Sequence, residues 1–278
     1  MPDLSVLQKA RRLKQRWRQG EPTFGAWHAI GSPMVTEIMG ACGYDWLFID
    51  LEHTAIDLGT LQTMLAALEA SATVPIVRVP GSDPHHIKRV LDIGAAGILV
   101  PNVLTAQQAS EVVRATKYPP AGIRGWGPWR ASSYFAGAAK YAECANDDLI
   151  VMIQIEDIKA LPELDAIVTT PGLDAVCSGP ADLAFSIGST PFANHPAVAD
   201  ALSQIFGAAR RHGVPAAHGL AVSDSEVASM VSQGVTILPL GSDVGLLSQG
   251  GKQSVNAAAG WRSTGEPTKE VVAKSGSY

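Results

Sequence analysis

A chain of 278 residues, 46% hydrophobic and 17% charged, holds enough apolar material for one large core and matches the usual size of a single α/β barrel. Its net charge of −5 excludes the basic field of a nucleic-acid binder, and no apolar run reaches the roughly 18 residues needed to cross a bilayer. Cys42, Cys144 and Cys177 are scattered, odd in number and free of any CxxC, which argues against a disulfide framework or a zinc knuckle and fits a reducing cytoplasm.

The first segment, LQKARRLKQRWRQG, is Arg-rich and acid-poor, a composition that slightly resembles a transit peptide. Val6, Leu7, Ala10, Leu13 and Trp17 nevertheless form one stripe at helical spacing. The segment reads as an amphipathic helix that covers one end of the core and keeps its basic face in water. Short apolar runs then recur at 23–27, 46–51, 75–79, 97–100, 149–156, 173–178, 214–219 and 235–240. Several are continuous rather than alternating, as strands buried on both faces require. Helical patterns lie between them at 33–42, 58–70, 83–93, 105–116, 157–168, 196–212, 224–233 and 243–256. Ser32-Pro33 and Asp83-Pro84 each pair an N-cap with proline at the first helical position. Gly43, Gly94, Gly213 and Gly234 follow helices where a left-handed C-cap favours glycine. Eight strands, each followed by a helix, predict a (β/α)8 TIM barrel in one α/β domain, with a doubly wound open sheet as the competitor. The expected organisation is an N-terminal helix over 1–20, the barrel over 21–247, and a C-terminal helix and arm over 248–278. The stretch 118–148 reads as a long irregular loop, a length often tied to function.

In such a barrel the chemistry sits at the C-terminal ends of the strands. The second strand ends in Asp50-Leu51-Glu52-His53, the third carries Arg78, the fifth gives Gln154 and Glu156, and the sixth runs into SGPAD with Asp182. Glu156 and Asp182 suit a hard divalent cation, although each alone could be a helix cap and Asp157 competes with Glu156. An arginine inside an apolar strand needs a partner; Arg78 is either one half of a structural ion pair or a donor to a developing oxyanion. His53 titrates near neutral pH and can act as general base and then acid, with a carboxylate three residues earlier to hold its ring. Glu52 shares a strand face with Asp50 and reads as a supporting carboxylate. His28 and His218 lie near the rim, where a structural role is favoured. Ala181 and Asp182 open a helix whose N–H groups suit a carboxylate or phosphate. None of the nine lysines falls within a strand, which weighs against a Schiff-base mechanism; P-loop, GxGxxG and GxSxG motifs are missing, and no organic cofactor is expected.

GYDWLFIDLEHT, VPIVRVPGSDPHHIKRVLDIGAAGILVPNV, YPPAGIRGWG, QIED and SGPADLAFSIG together resemble the HpcH/HpaI aldolases over residues 23 to 247, in consistent order. These are metal-dependent, class II pyruvate aldolases of the 4-hydroxy-2-oxoheptanedioate and 2-dehydro-3-deoxyglucarate type. The resemblance implies a (β/α)8 barrel assembled as a homo-hexamer, a trimer of dimers with the last helix swapped onto a neighbour. It implies Glu156 and Asp182 as ligands of Mg²⁺, Mn²⁺ or Co²⁺, and Arg78 beside the 2-oxo oxygen. It implies an acid/base dyad of His53 with Asp50, Asp92 acting through metal-bound water, and Trp27, Gln154, Ala181 and Leu220 lining the substrate pocket. GAWHAIGSP, GWGPWRASSYF and AHGLAV depart from the closest members and would contact the aldehyde.

The expected reaction is reversible cleavage of a 4-hydroxy-2-oxo acid to pyruvate and an aldehyde, both small molecules, with no nucleic-acid or membrane partner. The alternatives are a CoA-thioester lyase of the citrate-lyase beta type, which needs a basic groove for the CoA phosphates, and a non-catalytic oligomeric binding protein.

Overall fold

The structure, a computed structural model, describes residues 5–190, 195–220 and 223–259. Strands β1 (Thr23–His28), β2 (Trp46–Asp50), β3 (Val74–Arg78), β4 (Gly97–Val100), β5 (Ile150–Ile155), β6 (Ala175–Ser178), β7 (Ala216–Ala217) and β8 (Val235–Ser242) form a closed parallel barrel in chain order. Helix α1 (Val6–Arg18) precedes them. Helices α2 (Pro33–Ala41), α3 (Leu58–Ala67), α4 (Pro84–Asp92) and α5 (Ala106–Thr116) follow the first four strands. Then come α6 (Ala138–Asp148), α7 (Leu164–Val168), α8 (Pro180–Ser186), α9 (Pro196–Arg211), α10 (Asp224–Ser232) and α11 (Asp243–Ala257). The arm expected after the last helix lies outside the described residues.

Every residue of β2, β3 and β5 is buried, because alternate side chains fill two different cores. Trp46, Phe48, Ile76, Leu99, Met152 and Ile237 point into the barrel. Leu47, Ile49, Val77, Ile98 and Val151 point outward and pack under the helices. Gly25 stands opposite Trp46 in the β1–β2 register, and a Cβ there would lie 2.3 Å from the indole. The missing side chain is what lets Trp46 into the interior.

The stripe on α1 is buried as the sequence predicts, and Ala10, Leu13 and Trp17 join the inner core from below. Trp17 Nε1 donates to Thr23 Oγ1 at the start of β1 (2.8 Å), and Lys14 Nζ pairs with Asp174 Oδ1 just ahead of β6 (2.8 Å). One end of the barrel is therefore plugged, and the C-terminal rim is left for a site.

Two segments differ from the sequence reading. Residues 138–148 form α6 rather than the end of a loop. Its N-cap, Gly137, makes no side-chain cap bond, and only Tyr141, Ala145 and Asp148 are buried, so the helix lacks both an entry signal and a full apolar stripe. The helix expected over 157–168 is a 3-10 turn (Ile158–Glu163) followed by one short α segment, with Pro162 inside the turn. Proline cannot donate the bond that an α-helix needs there.

Candidate active site at the barrel rim

Asp50 and Arg78 are register partners at the last positions of β2 and β3. Arg78 donates through Nε to Asp50 Oδ1 (2.9 Å) and through Nη2 to Oδ2 (2.8 Å), a bidentate pair with 9% and 5% of the two residues exposed. The guanidinium also lies over the Trp27 ring, 4.4 Å from its centroid, with Glu52 Oε2 3.4 Å from Nε. Burial pushes the Asp50 carboxyl up, but the hydrogen bonds and charge of Arg78 outweigh it and hold the group below the usual carboxylate range. Burial likewise disfavours the guanidinium, yet Asp50 and Glu52 leave it above its ordinary value.

The chain after β2 winds around Asp50. Its Oδ1 accepts the backbone N–H of Glu52 (3.0 Å) and of His53 (3.5 Å), and the Thr54 hydroxyl donates to its carbonyl. The expected pairing of Asp50 with the His53 ring is therefore not formed: the carboxylate is committed to Arg78 and to backbone. The His53 side chain is 62% exposed, and its Nε2 lies 3.5 Å from Glu52 Oε2. Glu52 thus sits between the arginine and the histidine. Desolvation raises its carboxyl despite the nearby Arg78 charge, and Oε2 is buried without a hydrogen bond.

Glu156 follows β5 and is held by both oxygens. Oε1 accepts the Asn102 backbone N–H (2.7 Å), and Oε2 accepts Gln154 Nε2 (2.6 Å). Asn102 adopts φ 53° just past β4, a left-handed conformation in which asparagine is enriched. Gly179 leaves the remaining space: a Cβ there would lie 2.4 Å from the Glu156 Cβ. Desolvation, with the charges of Asp182 and Glu52, pushes Glu156 up to about 7 against the Asn102 N–H. Asp157 caps the 3-10 turn through Lys159 N (2.9 Å), which leaves Glu156 free of that role. Asp182 is in the first turn of α8 and is not its cap.

Trp27, Arg78, Gln154, Ala181 and Leu220 line one cavity of about 540 Å³. His53 and Asp182 belong both to it and to an adjoining cavity of about 260 Å³ that Glu52, Asn102 and Glu156 also line. Among the described residues no group of three or more His, Cys, Asp and Glu side chains could hold a metal ion. The donor set is two carboxylates, Glu156 and Asp182, which repel one another, plus the Gln154 Oε1, which is buried without a donor. This fits a hard divalent cation that takes its other oxygens from water and substrate.

Two expectations are placed elsewhere, and His218 has the structural role that the sequence favours. Asp92 ends α4, and a helix that follows a barrel strand runs back toward the base. Its Oδ1 accepts from Arg124 Nη2 (2.7 Å), and it lines neither rim cavity. Arg130 in GWGPWRASSYF donates to the Ile93 carbonyl (3.0 Å) and Ala131 N to that of Asp92 (3.1 Å), so this stretch is fixed at the base and not beside its own chain's aldehyde site. Trp126, Trp129 and Tyr134 are exposed there. His218 points outward, with Nδ1 3.2 Å from Ser178 Oγ and its ring against Phe206. Conversely, Asn102, Gly179, Gly241 and Ser242 belong to the rim cavities without having been singled out. The asparagine after a strand and the glycine between strand and helix in SGPAD were the available signals.

Residues 23–250 match the family model described as HpcH/HpaI aldolase/citrate lyase. The chain is similar to a 5-keto-4-deoxy-D-glucarate aldolase of Shigella dysenteriae, 39% identical over 222 residues that make up 80% of this chain and 86% of that one. Among solved structures it is similar to an HpcH/HpaI aldolase/citrate lyase family protein of Burkholderia cenocepacia (TM-score 0.84, 32% identity, 90% of this chain and 99% of that one). It is also similar to an HpcH/HpaI aldolase of Desulfitobacterium hafniense (TM-score 0.81, 30% identity, 88% and 95%).

Proposed function

The chain belongs to the HpcH/HpaI aldolase/citrate lyase family, and we propose that it is a divalent-metal-dependent class II aldolase that reversibly cleaves 4-hydroxy-2-oxo acids to pyruvate, or a related 2-oxo acid, and an aldehyde. The observation that carries this reading is the convergence of a locked guanidinium, Arg78, and two mutually repelling carboxylates, Glu156 and Asp182, on one rim.

Glu156 and Asp182 would hold Mg²⁺, Mn²⁺ or Co²⁺, which when bound supplies Lewis-acid polarisation of the 2-oxo group. Arg78 spends Nε and Nη2 on Asp50, and Nη1 donates toward the oxygen that becomes an enolate as the C3–C4 bond breaks. Trp27 covers one face of the guanidinium and keeps water off it. Gln154 holds Glu156 and lines the acid half of the cavity. His53 takes the 4-hydroxyl proton and returns it in the addition direction, its ring steadied by Glu52. Ala181 and Leu220 close the cavity around the two halves of the substrate.

A CoA-thioester lyase would need a cationic groove. The rim instead gathers Asp50, Glu52, Glu156 and Asp182 around Arg78, which favours a small acid held by a metal. The assembly we propose is a homo-oligomer, a hexamer in which α11 packs on a neighbour. Val244, Leu246, Leu247 and Val255 on that helix are exposed in the single chain. A cytoplasmic setting suits the three free cysteines, and no described helix is long and apolar enough to cross a membrane.

The test is pyruvate release from a panel of 4-hydroxy-2-oxo acids before EDTA, after it, and after repletion with each metal. Release that EDTA abolishes and metal restores is expected. Release indifferent to EDTA, or none from any substrate, sinks the proposal.

A further inference from the structure

His28 follows the pocket residue Trp27, yet its ring turns away from the cavity and is fully buried. Nδ1 lies 2.5 Å from Asp243 Oδ2, and Nε2 lies 2.6 Å from Thr36 Oγ1. Asp243 also accepts the backbone N–H groups of Ala29 (3.0 Å), Ile30 (2.8 Å) and Val244 (2.8 Å). With that many donors converging on it the carboxylate is ionised, and Nδ1 carries the proton that it receives.

Two features make this cluster more than packing. It sits on the β1–β8 seam that closes the barrel, where the register slips: Gly25 faces Pro239, but Trp27 faces Ser242. Two steps on β1 span three on β8, so β8 carries one extra residue at the rim, a bulge of the kind that re-aims side chains beside active sites. The residues thrown forward by the bulge, Gly241 and Ser242, line the large cavity. Second, Asp243 is the one buried residue of α11. Ser242 caps that helix through Gly245 N (3.0 Å), so Ser242 and the helix start move together, and Asp243 is what fastens them. Trp27 is held independently by the Gly219 carbonyl (2.9 Å), Arg78 and Phe48.

We propose that His28 is a positioning residue for the aldehyde half of the cavity: through Asp243 it clamps the β8 bulge and so fixes the wall formed by Gly241 and Ser242. The inference rests on the aldolase reading for which half of the substrate that wall meets, since Arg78, Gln154, Glu156 and Asp182 occupy the 2-oxo acid side. Loosening the clamp moves the aldehyde wall and leaves the acid side in place.

The test uses the full chain with Mn²⁺ and compares His28→Leu, which removes both ring contacts, with His28→Asn, which keeps a donor near Nδ1. Aldol addition of pyruvate to glycolaldehyde gives the KM of the aldehyde. Proton–deuterium exchange at pyruvate C3, followed by NMR, reports the acid half alone. In His28→Leu the aldehyde KM should rise about tenfold while C3 exchange stays within about twofold, and His28→Asn should recover most of the loss. Addition and C3 exchange falling together, neither changing, or Asn behaving like Leu would overturn the assignment. Amide hydrogen exchange separates the two readings. If the unaltered protein neither adds nor exchanges, the aldolase reading fails. The clamp is then judged on whether His28→Leu speeds exchange over 240–246 alone, as proposed, or throughout or nowhere, which refutes it.

Discussion

Replacing Asp50 by alanine would leave the Arg78 guanidinium buried without its counter-charge. With 9% of Arg78 and 5% of Asp50 exposed, the pair belongs to the buried class, where removal of one partner typically costs about 3–5 kcal/mol. The cavity lets water reach the open side of Arg78, so we take the lower end, about 3 kcal/mol. For a chain of this size that lowers Tm by roughly 6–12 °C. Arg78 would also lose its fixed direction, so kcat should fall about 10²-fold, approaching the 10²- to 10³-fold loss expected for Arg78→Ala. Calorimetry and pyruvate-release kinetics on Asp50→Ala, Arg78→Ala, His53→Ala and the double variants check this as a cycle. Asp50→Ala should add little to Arg78→Ala and should act independently of His53→Ala. If it is additive with Arg78→Ala but redundant with His53→Ala, then Asp50 serves the histidine after all and the reasoning from the bidentate geometry fails.

Two further outcomes follow from the carboxylates. Glu156 has an ordinary value of 4.5 and stands at about 7 in the folded chain, where burial favours its protonated form. Its contribution to stability is therefore complete below the ordinary value and is lost as pH rises through about 7. The metal-free protein should lose Tm across that window. Glu156→Gln should flatten the slope, and saturating Mn²⁺ should reverse it; equal slopes in both proteins would refute the assignment. Gly179→Ala places a methyl where a Cβ meets that of Glu156 at 2.4 Å, so titration calorimetry should show Mn²⁺ affinity lowered about tenfold or more while α8 still forms. Unchanged affinity would mean that Glu156 does not bind the metal from this position.

The barrel was legible because each strand is a short apolar run closed by turn chemistry, and a fully buried parallel sheet needs nothing else. Helix α6 was hidden because neither a cap nor a continuous stripe announces it. At the site, Arg78 stood out because a charge within VPIVRVP demands an explanation, and the same reasoning foresaw a partner for it. Which carboxylate would be that partner depended on strand register, which the sequence does not print. Asp50, directly opposite, took Arg78, and Glu52 was left beside His53. Asp92 came from resemblance alone, and a single chain holds it at the base with Arg124. Asn102 contributes a backbone N–H, and the signal it carries in the sequence is the left-handed bend that asparagine tolerates after a strand.

The rim has an electrostatic consequence as well. Arg78 matches Asp50, so Glu52, Glu156 and Asp182 make the open mouth a basin of negative potential; burial first, and neighbouring carboxylates after it, raise the Glu52 and Glu156 carboxyls. A 2-oxo acid arrives as an anion and is repelled by such a basin. A divalent cation would be drawn in and would invert the local field. With the cation proposed above, the placement of these acidic side chains would favour an order of arrival, cation first and acid second, before any chemistry begins.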